Sequence, residues 1–237
     1  MTQLNDPTLV QKQYANEANL GARKAIYANA EGPDGRAMAF DAVAEVSPER
    51  VLEVGGGEGE LAERIVEELG AELTFVDQSE RMVELARGRG LNAQVGDVQA
   101  LPFADASFDC AVAAWMLYHV PDIPLAIAEL ARVLRPGGRL VAVTNGDGHL
   151  AELRALTGGT GWWTGMDFSR ENAPELLGAS FSTVEARHAD GWVTIPDDEA
   201  IWSYLRSMSL FDASVVLAPH ELPLRVSRKP TVFVATK

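Results

Sequence analysis

The chain has 237 residues, 47% hydrophobic and 23% charged, with a formal net charge of −14. That is material for one sizeable core, and the acidic balance opposes a nucleic-acid substrate, whose phosphates call for Lys and Arg to displace counterions. A single cysteine, Cys110, excludes an intrachain disulfide framework, and the polar N-terminus and short apolar runs predict a cytoplasmic protein with no membrane contact.

In chain order, residues 8–46 read as helices broken at Gly32-Pro33-Asp34-Gly35. Residues 51–54 read as a short buried strand. Leu61, Ile65 and Leu69 then recur every fourth position, on one helical face. A second strand follows at 72–76, and a helix with Ser79 as N-cap and Met82, Leu85 and Ala86 inward. Residues 91–95 suggest a third strand, and 108–114 a fourth, apolar almost throughout as a central parallel strand should be. The next helix buries Ala126, Leu130, Val133 and Leu134 and is predicted to stop at Pro136-Gly137-Gly138, before a fifth strand at 139–144. Repeated strand–helix–strand units imply a parallel sheet with right-handed crossovers. Residues 146–180, rich in Gly and aromatics, read as an irregular cap. Late strands are expected at 181–187 and 231–236, with a helix at 197–208.

The chemistry concentrates at Val51-Leu52-Glu53-Val54-Gly55-Gly56-Gly57-Glu58-Gly59-Glu60. Glycines between a strand and a helix let the backbone turn tightly and a ligand approach the main chain. By itself such a turn suits NAD, FAD or S-adenosylmethionine, or no ligand at all. Asp77 ends the second strand, where a carboxylate can accept from both hydroxyls of a ribose. The acids Glu53, Glu58 and Glu60 would repel a pyrophosphate and suit the ammonium and sulfonium of S-adenosylmethionine. Asp97, after the third strand, is within reach of an adenine amino group, with Val98 against the ring; an Asx turn explains Asp97 as well.

These segments, with Gly96–Phe103, Ser107-Phe108-Asp109, Leu117-Tyr118-His119-Val120 and Leu134-Arg135-Pro136-Gly137-Gly138, resemble the class I methyltransferases. The resemblance is nearest to the branch holding the ubiquinone/menaquinone-biosynthesis enzymes, and it covers residues 48–145. It implies an α/β, Rossmann-like three-layer sandwich: a seven-stranded, mainly parallel sheet whose last strand is antiparallel, under an N-terminal helical lid. The expected organisation is one domain, 1–237, with a lid at 1–46, a cofactor-binding core at 48–145, and a cap with C-terminal strands at 146–237. The implied cofactor is S-adenosylmethionine. Glu53 and Gly55, Gly56 and Gly57 would lie against its methionine part, Asp77 on the ribose, and Gln78 and Met82 by the ribose and adenine. Asp97 and Val98 would frame the adenine, Ala114 would line the methionine side, and Tyr14 would cover the cofactor. The middle position of the turn, often small or polar in that family, is Gly56 here.

The implied activity is methyl transfer to an O, N or C atom of a small metabolite. A protein or RNA methyltransferase is the rival enzyme, although no Asn-Pro-Pro-Tyr-type motif follows the fourth strand. A non-catalytic S-adenosylmethionine-binding protein is the rival of another class. His119 at the carboxyl edge of the sheet is a candidate base, or simply a packed residue. His149, His188 and His220 show no metal-ligand clustering. Trp162-Trp163, Trp115 and Tyr118 offer an aromatic wall or hydrophobic packing. Cys110 reads as core. Arg225, Arg228 and Lys229 read as a solvated face, with the holding of an acidic substrate as the alternative.

Overall fold

The computed structural model describes residues 5–14, 18–159, 166–208 and 211–237. Helices α1 (Pro7–Gln13) and α2 (Ala18–Ala25) are followed by a 3-10 turn, Ile26–Asn29, and a two-residue strand β1 (Ala30–Glu31). Asp34 caps α3 (Gly35–Ala44). The alternating core then runs β2 (Arg50–Val54), α4 (Glu60–Leu69), β3 (Glu72–Asp77), α5 (Glu80–Gly88), β4 (Asn92–Val95), β5 (Phe108–Ala114), α6 (Ile123–Val133) and β6 (Leu134–Asn145). Short helices α7 (Ala151–Leu156) and α8 (Ala173–Gly178) lead to β7 (Thr183–His188), β8 (Gly191–Ile195), α9 (Asp198–Arg206), β9 (Leu224–Arg228) and β10 (Pro230–Thr236).

The main sheet has seven strands in the order β4-β3-β2-β5-β6-β10-β7. Its β4-β3-β2-β5-β6 run is parallel, and β10 pairs antiparallel with both β6 and β7. Strand alternation divides the core into two layers. Val51, Cys110 and Val112 face Phe40, Ile65 and Val83 of α3, α4 and α5. Leu52, Ala111 and Ala113 face Ile127, Leu130 and Leu177 of α6 and α8. Two apolar faces on successive residues are why these strands read as continuous hydrophobic runs. Each large side chain so buried contributes about 1.5–3 kcal/mol. Cys110 is fully buried and its thiol is pushed up to about 12 by that burial, as a core residue should be.

Three expectations need correction. The helix before β6 ends at Val133, and Leu134 is already extended and paired with Phe108. Pro136 restricts the residue before it to extended backbone, so the strand starts at Leu134 and carries Pro136-Gly137-Gly138 as an irregularity before Cys110 pairs with Arg139. On α5 the buried stripe is Met82, Val83 and Ala86, with Leu85 half-buried, a rotation of about 50°. A second sheet, β1-β8-β9, was not expected at all. It is antiparallel, and Val193, Ile195 and Val226 pack with Ile26, Leu150 and Tyr204 in a third cluster. Trp162-Trp163 lies outside the described residues. Among the described residues no helix is long and apolar enough to cross a membrane.

Candidate active site

The carboxyl ends of β2, β3 and β5 open onto a cavity of about 820 Å³. Ligand sites run from roughly 300 to 1,000 Å³, so this one can hold a nucleotide-sized molecule beside a second, smaller one. It lies at the carboxyl edge of the sheet, where open α/β folds bind ligands.

The glycine turn is built by close approach. Gly55 is left-handed at φ +62°, and a Cβ there would lie 2.8 Å from Cβ of Met116. A Cβ on Gly56 would lie 2.6 Å from both Cδ of Glu53 and Cε2 of Phe75. Beneath the turn Glu53 is 1% exposed, and its Oε2 has no hydrogen-bond partner. Burial, reinforced by the charge of Asp77, pushes the Glu53 carboxyl up to about 8. Asp77 is raised to about 6 by burial, although the amides of Ser79, Gly57 and Gln78 donate to it; the Ser79 bond is 2.9 Å. An orphaned acid under a turn closed to any side chain fits a cationic ligand lying on the backbone.

The other two loop acids serve differently from expectation. Glu58 is bound by Lys24, and Glu60 by Lys24 at 3.0 Å and Arg36 at 2.6 Å. They tie α2 and α3 to the turn, while Glu53 and Asp77 form no ion pair among the described residues. Asp97 is exposed at the mouth and makes the Asx turn, accepting from the backbone N–H of Gln99 at 2.8 Å, while also lining the cavity. Val98, Gln78 and Ala114 line it too, as does Tyr14. Met82 is fully buried and does not form part of the wall.

Tyr14 is held twice: Ser79 Oγ donates to its carbonyl at 2.9 Å, and its hydroxyl meets Nε2 of His119 at 3.0 Å. That contact joins the lid to the residues after β5. Trp115, in the left-handed region at φ +54°, bonds Oδ1 of Asn145 through Nε1 and also lines the cavity. Tyr118 stands beside it in the wall, its hydroxyl raised by burial.

A second half of the wall comes from residues that sequence reasoning did not bring together. Tyr27 Oη meets Nε2 of His149 at 2.9 Å, and the N–H of Lys229 donates to His149 Nδ1 at 3.0 Å. Burial and the neighbouring Arg228 push His149 down to about 3, so the ring is neutral. Tyr204 and Arg228 complete this side. Arg228 is 8% exposed, against the expectation of a solvated face. The last three residues of β9, Val226, Ser227 and Arg228, are all buried, with no alternation that the sequence could have shown.

The raised acids set a pH dependence. Glu53 moves from the ordinary 4.5 to about 8, and Asp77 from 3.8 to about 6. Between those limits the folded chain holds protons that the unfolded chain has lost, so this contribution to stability falls as pH rises. The ligand-free Glu53→Gln variant should therefore lose less melting temperature than wild type between about pH 5 and about pH 8. Parallel thermal scans showing the same loss in both proteins would contradict the assignment.

Residues 52–142 match the family described as Methyltransferase domain. Over 113 residues the chain is 41% identical to the ubiquinone/menaquinone biosynthesis C-methyltransferase UbiE of Dinoroseobacter shibae, covering 44% of this chain and 45% of that one. It is 41% identical over 100 residues to the 27-O-demethylrifamycin SV methyltransferase of Amycolatopsis mediterranei, covering 39% and 37%. The match thus spans about half the length or less of these curated relatives. Among solved structures, a possible histamine N-methyltransferase from Thermotoga maritima superposes with a TM-score of 0.62 at 21% identity, over 95% of this chain and 99% of that one. The cyclase SpnF superposes at 0.63 with 20% identity, over 96% and 94%. At such identities these two show the shared fold. The matched span, residues 52–142, holds the acid-floored glycine turn and strands β3, β4 and β5, and over that span the chain is similar to the class I methyltransferases of the UbiE branch.

Proposed function

We propose that the protein transfers the methyl group of S-adenosylmethionine to an O, N or C atom of a small molecule, within a single domain built from residues 1–237. The observation that carries this is one continuous cavity, with an orphaned acid under a glycine turn at one end and an aromatic, polar wall at the other. When bound, the cofactor supplies an electrophilic methyl group on a sulfonium sulfur.

The chain's own residues would then act as follows. Glu53, with Gly55, Gly56 and Gly57, receives the methionine part, and Ala114 lines that side. Asp77 accepts from the ribose hydroxyls, with Gln78 beside it, and Asp97 and Val98 frame the adenine. Met82 supports this region from the core without touching the ligand. Tyr14 closes over the cofactor through its bond to His119 and keeps water from the reacting atoms. Displacement at carbon needs in-line positioning in a dry pocket, and a base only where the acceptor must shed a proton. His119, in the wall and bonded to Tyr14, is the base this reading proposes for such an acceptor.

A small acceptor fits better than a nucleic acid, because the net charge of −14 opposes a polyanion. The fold by itself does not decide, since a cyclase shares it. The test is incubation with S-adenosylmethionine and the small-molecule fraction of a cell extract. S-adenosylhomocysteine should form when both are present, and Asp77→Ala should slow its formation strongly at subsaturating cofactor. Saturable cofactor binding with no product in any fraction would show a binding protein instead.

A further inference from the structure

Arg228 is a buried cation without a counter-charge. The residue is 8% exposed. Among the described residues no carboxylate lies within ion-pairing distance of it, although its neighbours are all served: Arg225 pairs with Glu31 at 3.1 Å, Lys229 with Asp190 at 3.1 Å, and Arg170 with the same Asp190. Both hydrogen bonds of Arg228 leave from Nη2, to the carbonyls of Pro33 at 2.6 Å and Glu31 at 3.4 Å. Nε is buried with no partner. Removing an ion from water costs several kcal/mol when nothing compensates it. A fold that keeps such a group, fixes one edge of it on two carbonyls and leaves another edge bare is holding it for something else. Arg228 forms part of the wall of the large cavity.

The surroundings agree. The N–H of Lys229 occupies Nδ1 of His149, which leaves the imidazole proton on Nε2, donating to Tyr27 Oη. Tyr27 bonds Tyr204 in turn. These neutral hydroxyl and imidazole groups bring no negative charge to Arg228. Glu53 and Asp77 lie apart from it, under the glycine turn, where Arg36 is the cation that acts on Glu53; Arg228 acts instead on Tyr27 and His149.

We infer that the methyl acceptor carries an oxyanion, a carboxylate or a phosphate, and that the guanidinium of Arg228 binds it. A guanidinium presents planar, paired donors that match either group, and burial strengthens the contact. The inference rests on the methyl-transfer reading and narrows its substrate class to acids.

The test uses the whole chain, with and without S-adenosylhomocysteine, titrated with benzoate, benzamide and phenyl phosphate under ligand-observed NMR. Benzoate or phenyl phosphate should bind at least about tenfold more tightly than the neutral benzamide, and the tighter of the two assigns the group. Arg228→Gln should weaken the anion by about tenfold or more while holding S-adenosylhomocysteine within about twofold, with Arg228→Lys between them. Equal binding of benzamide and both anions to wild type, or an unchanged anion affinity in Arg228→Gln, would overturn the inference. The wild-type comparison decides the matter even if the variants do not fold. Binding of S-adenosylhomocysteine without discrimination among the probes removes the acid acceptor alone. Failure of S-adenosylhomocysteine to bind removes the methyl-transfer reading, while the probes on the ligand-free protein still test Arg228.

Discussion

Asp77→Ala is expected to weaken S-adenosylhomocysteine binding by about 3 kcal/mol, a factor of about 150, because bonds to a charged acceptor are worth about 1.5–3 kcal/mol each. Part of that loss has a local origin. The amides of Ser79, Gly57 and Gln78 all donate to this carboxylate, and Ala leaves them without an acceptor. Asp77→Asn separates the two effects. Its side-chain oxygen can still accept from Ser79, so the fold should hold, while the charge offered to the ribose is lost. Isothermal titration and thermal scans on both variants read this directly. Wild-type affinity in a folded Asp77→Ala would take Asp77 out of the site.

Gly56→Ala is expected to damage fold and binding together. The added Cβ would lie 2.6 Å from both Glu53 and Phe75, which are 1% and 0% exposed and have no room to retreat. Overpacking of that kind costs about 1–3 kcal/mol, which for a chain of this size is about 2–12 °C in melting temperature. Displacing Glu53 should also reduce cofactor affinity at least about tenfold. Gly88→Ala is the control: it ends α5 with open space around the new Cβ, and should be neutral or slightly stabilising. A Gly56→Ala protein with unchanged melting temperature and affinity would mean the turn is looser than this packing requires.

The glycine-turn end of the cavity was legible because it is local. The turn after β2 and the acid ending β3 each sit on a strand end that hydrophobic patterning locates, and the parallel order of strands brings those ends together. The opposite end was not legible, because it is assembled by distance. Tyr27, His149, Tyr204 and Arg228 come from four separate segments, joined by a small sheet whose first strand has two residues. Two residues carry no periodicity, and Leu224–Arg228, whose last three residues are all buried, shows no alternation to follow. Nor does the sequence show that Glu58 and Glu60, which line the cavity, are bound by Lys24 and Arg36. Where the helix before β6 ends was misread for a simpler reason. The glycines at 137 and 138 are a stronger signal than Pro136, yet it is the proline that excludes helix from Arg135.

The most direct measurement is a calorimetric titration of the purified protein with S-adenosylmethionine and S-adenosylhomocysteine, run beside NAD. Saturable binding of the first two, with no heat from NAD, is the predicted result. It would agree with a cavity whose floor is the unpaired Glu53 and Asp77. Binding of NAD, or of none of the three by a folded protein, would contradict the assignment of this cavity to S-adenosylmethionine.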